Sequence, residues 1–299
     1  MKKICRLILS LLMIVSVAGC TSNSEKEQPD KDDTLKIICP TGAPSLSLVS
    51  VYEDVTKEGK IDFVDGSDQL VAELSKADSE YNVIIAPINV GAKLIASKQS
   101  DYKMAGVLTW GNLYLVGTSE EALQGEGEIA LFGQGAVPGM IYDHVKIDTT
   151  LTPQYYNSAT LVQQQLLSSK ASVGMLAEPL ATATIAKAKE NGLTLSIIKD
   201  LQKEYGEDGY PQATVFVKEG TNCSQLISKI DEFTNGDYKE LGQYLEKVGT
   251  DTLGLPAQAI VEKTIERQNL HYSDIEDCQD QVKQFLKLYN IEFSKDMMK

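Results

Sequence analysis

The chain has 299 residues with 28 basic and 42 acidic side chains, a formal charge of −14 and a mean hydropathy of −0.16. Nucleic acid is a poor partner for so acidic a surface, because binding it draws on clustered Lys and Arg. The same charge repels anionic lipid, so any hold on a membrane has to come from acyl chains and not from a basic patch.

At the N-terminus, Lys2, Lys3 and Arg6 precede an apolar run from Leu7 to Ala18 that only Ser10 and Ser16 interrupt. This is the pattern of a secretory signal peptide. The run falls short of the roughly 20 apolar residues that span a bilayer and ends in small residues, so residues 1–19 are read as a cleaved signal peptide. Val17-Ala18-Gly19-Cys20 resembles the bacterial lipoprotein processing box, in which the cysteine is lipidated and becomes the new N-terminus; Val17 stands where leucine is commonest. An ordinary signal peptide with an incidental cysteine is the alternative. Residues 20–34 carry no large apolar side chain and read as a lipid-anchored flexible tether, roughly 20 Å long on average and about 50 Å fully stretched. The expected location is extracytoplasmic, at the cell membrane. Besides Cys5 in the leader and Cys20, the chain holds Cys39, Cys223 and Cys278. No CxxC spacing marks a metal or redox site, buried thiols are expected, and a Cys223–Cys278 bridge is left open.

The body begins with βα alternation. LKIIC, KIDFV, YNVIIAP and KMAGVL read as buried strands, and PSLSLVSVYEDV, SDQLVAELSKA and NVGAKLIASKQ as the helices between them, which implies a mostly parallel sheet covered by helices. After the strand NLYLVGTS the pattern restarts: GEIALFG, a turn QGAVPGM, a strand around Val145–Asp148, the helix NSATLVQQQLLSSK, the strand SVGML, the helix PLATATIAKAKEN and the strand LTLSIIK. PQATVFVKEG is one more strand, and everything after Asn222 reads as helical, with breaks at Asn235-Gly236, Gly249–Pro256 and near His271–Ser273. This order predicts an α/β chain of two lobes joined by two crossing segments near 113–118 and 212–217: residues 35–117 start lobe 1, residues 118–212 form lobe 2, and residues 213–299 return to lobe 1 with helices packed on it. A single doubly wound domain is the alternative.

In open α/β sheets ligands sit beyond the carboxyl ends of strands, where helix N-termini point into a crevice. The corners of that kind are Cys39–Ser45, Val64–Gln69, Ala86–Ala92, Leu108–Tyr114, Phe132–Gly139, Tyr155–Thr160 and Leu176–Ala181. Each alone is ordinary turn and capping chemistry, but together they fall in both lobes and are expected to face each other across a cleft.

ICPTGAPSLSL, VIIAPINVGAKLI, VLTWGNLYLVG, IALFGQGAVPG and ASVGMLAEPLAT resemble the solute-binding proteins of ABC importers, in the branch that binds nitrate, sulfonates, taurine and thiamine precursors. The resemblance spans most of residues 35–220 and implies the type II periplasmic-binding architecture, a non-enzymatic role, no cofactor and no metal. Its implied partners are a small-molecule ligand and an ABC permease with its ATPase, the protein being a monomer held to the membrane by its lipid anchor and having no nucleic-acid partner. It implies ligand contacts at Thr41, Gly42, Ala43, Asn89, Thr109, Trp110, Gln134, Asn157 and Glu178. Trp110 serves either to stack on a planar ligand or as a core residue below the hinge; Glu178 either accepts a ligand N–H or meets a helix dipole. Arginine occurs only at Arg6 and Arg267, so none is expected at a corner, and a carboxylate or phosphate held by a guanidinium is disfavoured. A neutral heterocycle fits better, with a small sulfonate or other anion on helix N-termini still open. The two histidines, His144 and His271, stand at no corner, and no hydrolase triad, HExxH or P-loop pattern appears. An exported biosynthetic enzyme on the same fold, or a surface sensor or adhesin, remains as an alternative.

Overall fold

A computed structural model describes residues 32–299. The signal peptide, Cys20 and the tether up to residue 31 lie outside the described residues.

The first run is β1 (Lys36–Pro40), α1 (Ala43–Leu46), α2 (Tyr52–Glu58), β2 (Lys60–Val64), α3 (Asp68–Ser75), β3 (Val83–Pro87), α4 (Ile88–Ala96) and β4 (Tyr102–Thr109). The second is β5 (Leu113–Gly117), β6 (Glu128–Phe132), α5 (Val137–Val145), β7 (Thr152–Tyr156), α6 (Ala159–Leu167), β8 (Val173–Ala177), α7 (Leu180–Glu190), β9 (Ser196–Asp200) and α8 (Leu201–Tyr205). The chain then makes β10 (Ala213–Lys218), α9 (Ser224–Thr234), α10 (Leu241–Val248), α11 (Gln258–Thr264), β11 (Leu270–Asp274) and α12 (Gln279–Lys287).

The strands form two sheets, in the orders β11-β4-β10-β3-β1-β2 and β7-β6-β8-β5-β9. In the first, β1 is parallel to β2 and β3, while β10 is antiparallel to β3 and β4. In the second, β6 is parallel to β7 and β8, and β5 runs against β8 and β9. The strands therefore run mostly one way, and a reversed strand follows each crossing: β5 after the chain enters the second sheet, β10 after it returns. Burial on both faces explains the continuous apolar runs: Ile37–Cys39, Val83–Ala86 and Val173–Leu176 are buried throughout.

The change of sheet occupies Trp110–Asn112, so Leu113–Gly117, expected to cross, lies wholly in the second sheet. The return runs from Gly206 to Gln212. The two crossings lie side by side: Tyr210 N donates to Trp110 O (3.2 Å) and Gln212 N to Thr109 O (2.9 Å). Glycine is required in both. Gly111 has φ +85° and a Cβ there would stand 2.6 Å from the Tyr210 ring; Gly209 has φ +70° and a Cβ there would stand 2.2 Å from Trp110 O. Behind the crossings, rings of both halves meet, Tyr205 lying 5.4 Å from Tyr210 and Tyr210 stacked at 5.8 Å on Phe285 of α12.

Three sequence expectations are corrected. The helix expected over Pro44–Val55 is two short helices, because the Ser45 and Ser47 hydroxyls bond back to the Gly42 and Pro44 carbonyls and compete with the ladder. QGAVPGM is not all turn: Pro138 stands in the first turn of α5, which continues through Val145 and ends at Lys146 with φ 50°, so no strand forms at 145–148 and the strand is β7. The tail beyond Asn222 is not wholly helical, since β11 pairs antiparallel with β4 through a register shift.

Candidate ligand cleft

The carboxyl ends of β1, β3, β6 and β8 all deliver residues to one cleft of about 820 Å³ between the two sheets, through Pro40, Pro87, Phe132 and Ala177. The crossings form its floor with Asn112, Leu113, Gln212 and Ala213. One wall is the β1–α1 corner, Thr41–Pro44, with Asp65–Ser67 beside it. Thr41 Oγ1 donates to Asp65 Oδ1 at 2.7 Å. Gly42 N and Ser45 Oγ both donate to Leu253 O, at 3.0 and 3.1 Å, and this ties the 253–256 loop to the wall. Gly254 (φ +64°) is needed there, since a Cβ would stand 2.6 Å from Thr41 Cβ. The opposite wall carries Asn157, Ala159 and Thr160 at the start of α6, whose N-cap Ser158 accepts from Leu161 N at 3.2 Å.

Of the residues carried over from the family resemblance, Thr41, Gly42, Ala43, Asn157 and Glu178 line this cleft. Asn89, Thr109, Trp110 and Gln134 do not. Asn89 lies in the first turn of α4 and Gln134 on the exposed β6–α5 loop. Thr109 Oγ1 is used within the first sheet, accepting from Ala213 N at 2.9 Å. Trp110 is only 5% exposed, and its Nε1 donates to His271 O at 2.8 Å on the far side of the crossing. Its ring packs in the core beneath the crossing and is not part of the cleft lining.

Glu178 lines the cleft, but its carboxylate is spoken for. Oε1 accepts from Arg267 Nε and Thr182 Oγ1, both at 2.8 Å, and Oε2 from Thr182 N at 3.0 Å. An arginine therefore does stand at a corner, delivered from a 3₁₀ turn (Ile265–Gln268) that is 89 residues away in sequence. Arg267 also joins the halves through its main chain: its carbonyl accepts from Tyr114 Oη at 2.9 Å, and burial pushes the Tyr114 hydroxyl pKa well up. Cleft residues that the resemblance did not supply include Asp65, Asn112, Gln212 and the loop 254–256. Asp65 and Asn112 sit inside corners visible in the sequence; Gln212 and Gly254–Pro256 carry no local motif.

Among the described residues no group of three His, Cys, Asp or Glu side chains is placed to hold a metal ion. Cys39, Cys223 and Cys278 are buried and unpaired with one another. Among those residues, too, no helix is long and apolar enough to cross a membrane.

No protein-family model matches the sequence, and no curated protein matches it. Solved structures do. An ABC transporter protein from Parabacteroides distasonis aligns at a TM-score of 0.70 and 24% identity, over 89% of this chain and 95% of that one. The periplasmic aliphatic sulphonate binding protein SsuA from Escherichia coli aligns at 0.60 and 14%, over 86% of each chain. The alkanesulfonate-binding protein SsuA from Xanthomonas axonopodis pv. citri, bound to MOPS, aligns at 0.57 and 14%, over 88% of this chain and 96% of that one. The chain has the solute-binding-protein fold. In this type II periplasmic-binding architecture the cleft between the sheets is the position at which the fold rule for open α/β sheets puts a ligand. Two of these structures are named as sulfonate-binding proteins and the third as an ABC transporter.

Proposed function

We propose that the protein is an extracytoplasmic solute-binding lipoprotein that captures a small molecule between its lobes and delivers it to an ABC permease with its ATPase. The observation that carries this reading is the cleft itself: both sheets and both crossings contribute to its lining. A ligand touching both walls binds the closed form more tightly than the open one, and so shifts the equilibrium toward closure by bending at Trp110–Asn112 and Gly206–Gln212. The permease then recognises the closed shape.

Residues 1–19 serve as the signal peptide, Cys20 as the lipidated residue and residues 20–34 as the tether, with a monomer moored at the cell membrane. The ligand is a small heterocycle or a small sulfonate or other anion. The test is a thermal-shift screen with nucleobases, thiamine precursors, flavins, taurine, alkanesulfonates and nitrate. A true ligand at ten times its Kd adds about 1.4 kcal/mol of stability and is recovered unchanged. Catalytic conversion of any of these compounds would contradict the binding reading. For the anchor, labelling with radioactive palmitate is expected in the wild type and lost in Cys20→Ser.

A further inference from the structure

We infer that the cleft takes a small organic cation, whose positive group pairs with Asp65 on one wall and whose apolar body lies against Phe132 on the other. This rests on the binding reading of the cleft and narrows it to one class of ligand.

Asp65 follows β2 in a bend, is exposed, and lines the cleft. Its Oδ1 accepts from the Thr41 hydroxyl at 2.7 Å. Thr41 lines the cleft as well, so this bond keeps the carboxylate beside the wall without neutralising it. Oδ2 has no hydrogen bond or ion pair among the described residues. The second lining carboxylate differs on both counts: the Glu178 side chain has no exposed surface and is paired with Arg267. Among the described residues no Lys, Arg or His lines the cleft, so Asp65 is the one charge there without a counter-ion. A hollow lined by one sign of charge focuses its field inward and concentrates the opposite ion. The chain's formal charge of −14 acts in the same direction.

Phe132 ends β6 on the opposite half and, among the described residues, is the sole aromatic side chain on the lining. It is half-buried and pairs with no other aromatic ring among those residues. An aromatic face attracts a cation and stacks on a planar one. Most other lining residues are Pro, Ala, Leu or Gly, which suits an apolar body and gives an anion no side-chain donor. Helix N-termini are the other way to hold an anion. Four that reach the cleft are short of donors: Pro87 and Pro179 are the N-caps of α4 and α7, and Pro44 and Pro138 stand in the first turns of α1 and α5. Each proline removes one of the N–H groups that such a site offers.

The test uses the full-length chain purified in detergent and three probes that share one ring and differ in charge: benzamidine, a cation; benzamide, neutral; and benzenesulfonate, an anion. Thermal shift ranks them and titration calorimetry gives the Kd values. Benzamidine is expected to bind several-fold more tightly than benzamide, and benzenesulfonate most weakly. Asp65→Asn keeps the size of an exposed side chain and removes its charge. It is expected to weaken benzamidine about tenfold and to leave benzamide unchanged. Added salt is expected to weaken benzamidine alone, and Phe132→Leu to weaken benzamidine and benzamide alike. Benzenesulfonate binding as tightly as benzamidine, or benzamidine binding that Asp65→Asn does not change, overturns the inference; if Phe132→Leu still weakens the probes, the cleft remains a binding site. Absence of binding by all three overturns the inference and counts against the binding reading itself.

Discussion

Arg267→Ala strips Glu178 Oε1 of a 2.8 Å charge-assisted bond while the carboxylate, whose side chain has no exposed surface, stays where water cannot replace the donor. A hydrogen bond to a charged group contributes about 1.5–3 kcal/mol, and stranding one partner of a fully buried pair costs about 3–5 kcal/mol. The arginine is itself 40% exposed, and Thr182 still donates twice to the carboxylate. The lower figure therefore governs, and the expected loss is roughly 2 kcal/mol. For a body of this size that is a fall in Tm of about 3–4 °C. The assay is thermal unfolding followed by circular dichroism at pH 7 for the wild type, Arg267→Ala, Glu178→Gln and the double variant. Neutralising Glu178 removes the stranded charge, so the double variant is expected to cost less than the sum of the singles by about 1–2 kcal/mol. Additive losses, or an Arg267→Ala effect no larger than that of the exposed Lys263→Ala, would refute the assignment of this pair as a clamp between the halves.

Three further outcomes are expected. Gly91→Ala puts a Cβ 2.1 Å from Cζ of the fully buried Phe216 and is expected to cost about 1–3 kcal/mol in denaturant titration, with part of the loss recovered by adding Phe216→Leu; an unchanged midpoint would contradict the packing of α4 on β10. In the chain from Thr21 onward, burial holds the Cys39 thiol well above its ordinary pKa and pushes Cys278 up to about 11. Native protein at pH 8 is therefore expected to react slowly with a disulfide reagent and to release all three thiols only on unfolding; rapid native reaction would show that the sites are open. Asp54 is held down at about 2 by its hydrogen bonds from Lys229 (2.7 Å) and Lys57 (2.8 Å). Its folded pKa is below the unfolded value of about 3.9, so its contribution is present above that pH and lost as pH falls toward 2. Asp54→Asn should then cost a small amount of stability at pH 7 and none at pH 2, and a cost that persists in acid would place its cause elsewhere.

Strands buried on both faces were legible as runs: KIIC, VIIA and VGML are β1, β3 and β8 because no polar side chain fits where helices cover both sides. β11 was not. In His271-Tyr272-Ser273 only Tyr272 is buried, and the strand is held by tertiary bonds, Asn235 Nδ2 to Tyr272 O and Thr234 Oγ1 from Tyr272 N, that no local pattern announces. The corners of the cleft were readable because Gly and Pro mark strand-to-helix turns, and five of the nine ligand contacts taken from the resemblance fall on its lining. Trp110 has the chemistry of a ligand platform, and only the position of β11 behind it decides that its indole bonds to His271 O. Arg267 is a surface helix residue in sequence; its meeting with Glu178 depends on how the C-terminal segment folds back over the crossing. Asn112 carries no mark in the sequence beside Thr109 and Trp110, and its place on the cleft lining follows only from how the two crossings lie side by side.

Hydrogen exchange with and without the best ligand of the screen puts the central claim to the most direct trial. Binding is expected to slow exchange at Ala43–Leu46 on one wall and at Ala159–Val162 on the other, together with the floor around Asn112–Leu113. Slowing confined to one wall, or located away from both, would mean that the two lobes do not share a guest.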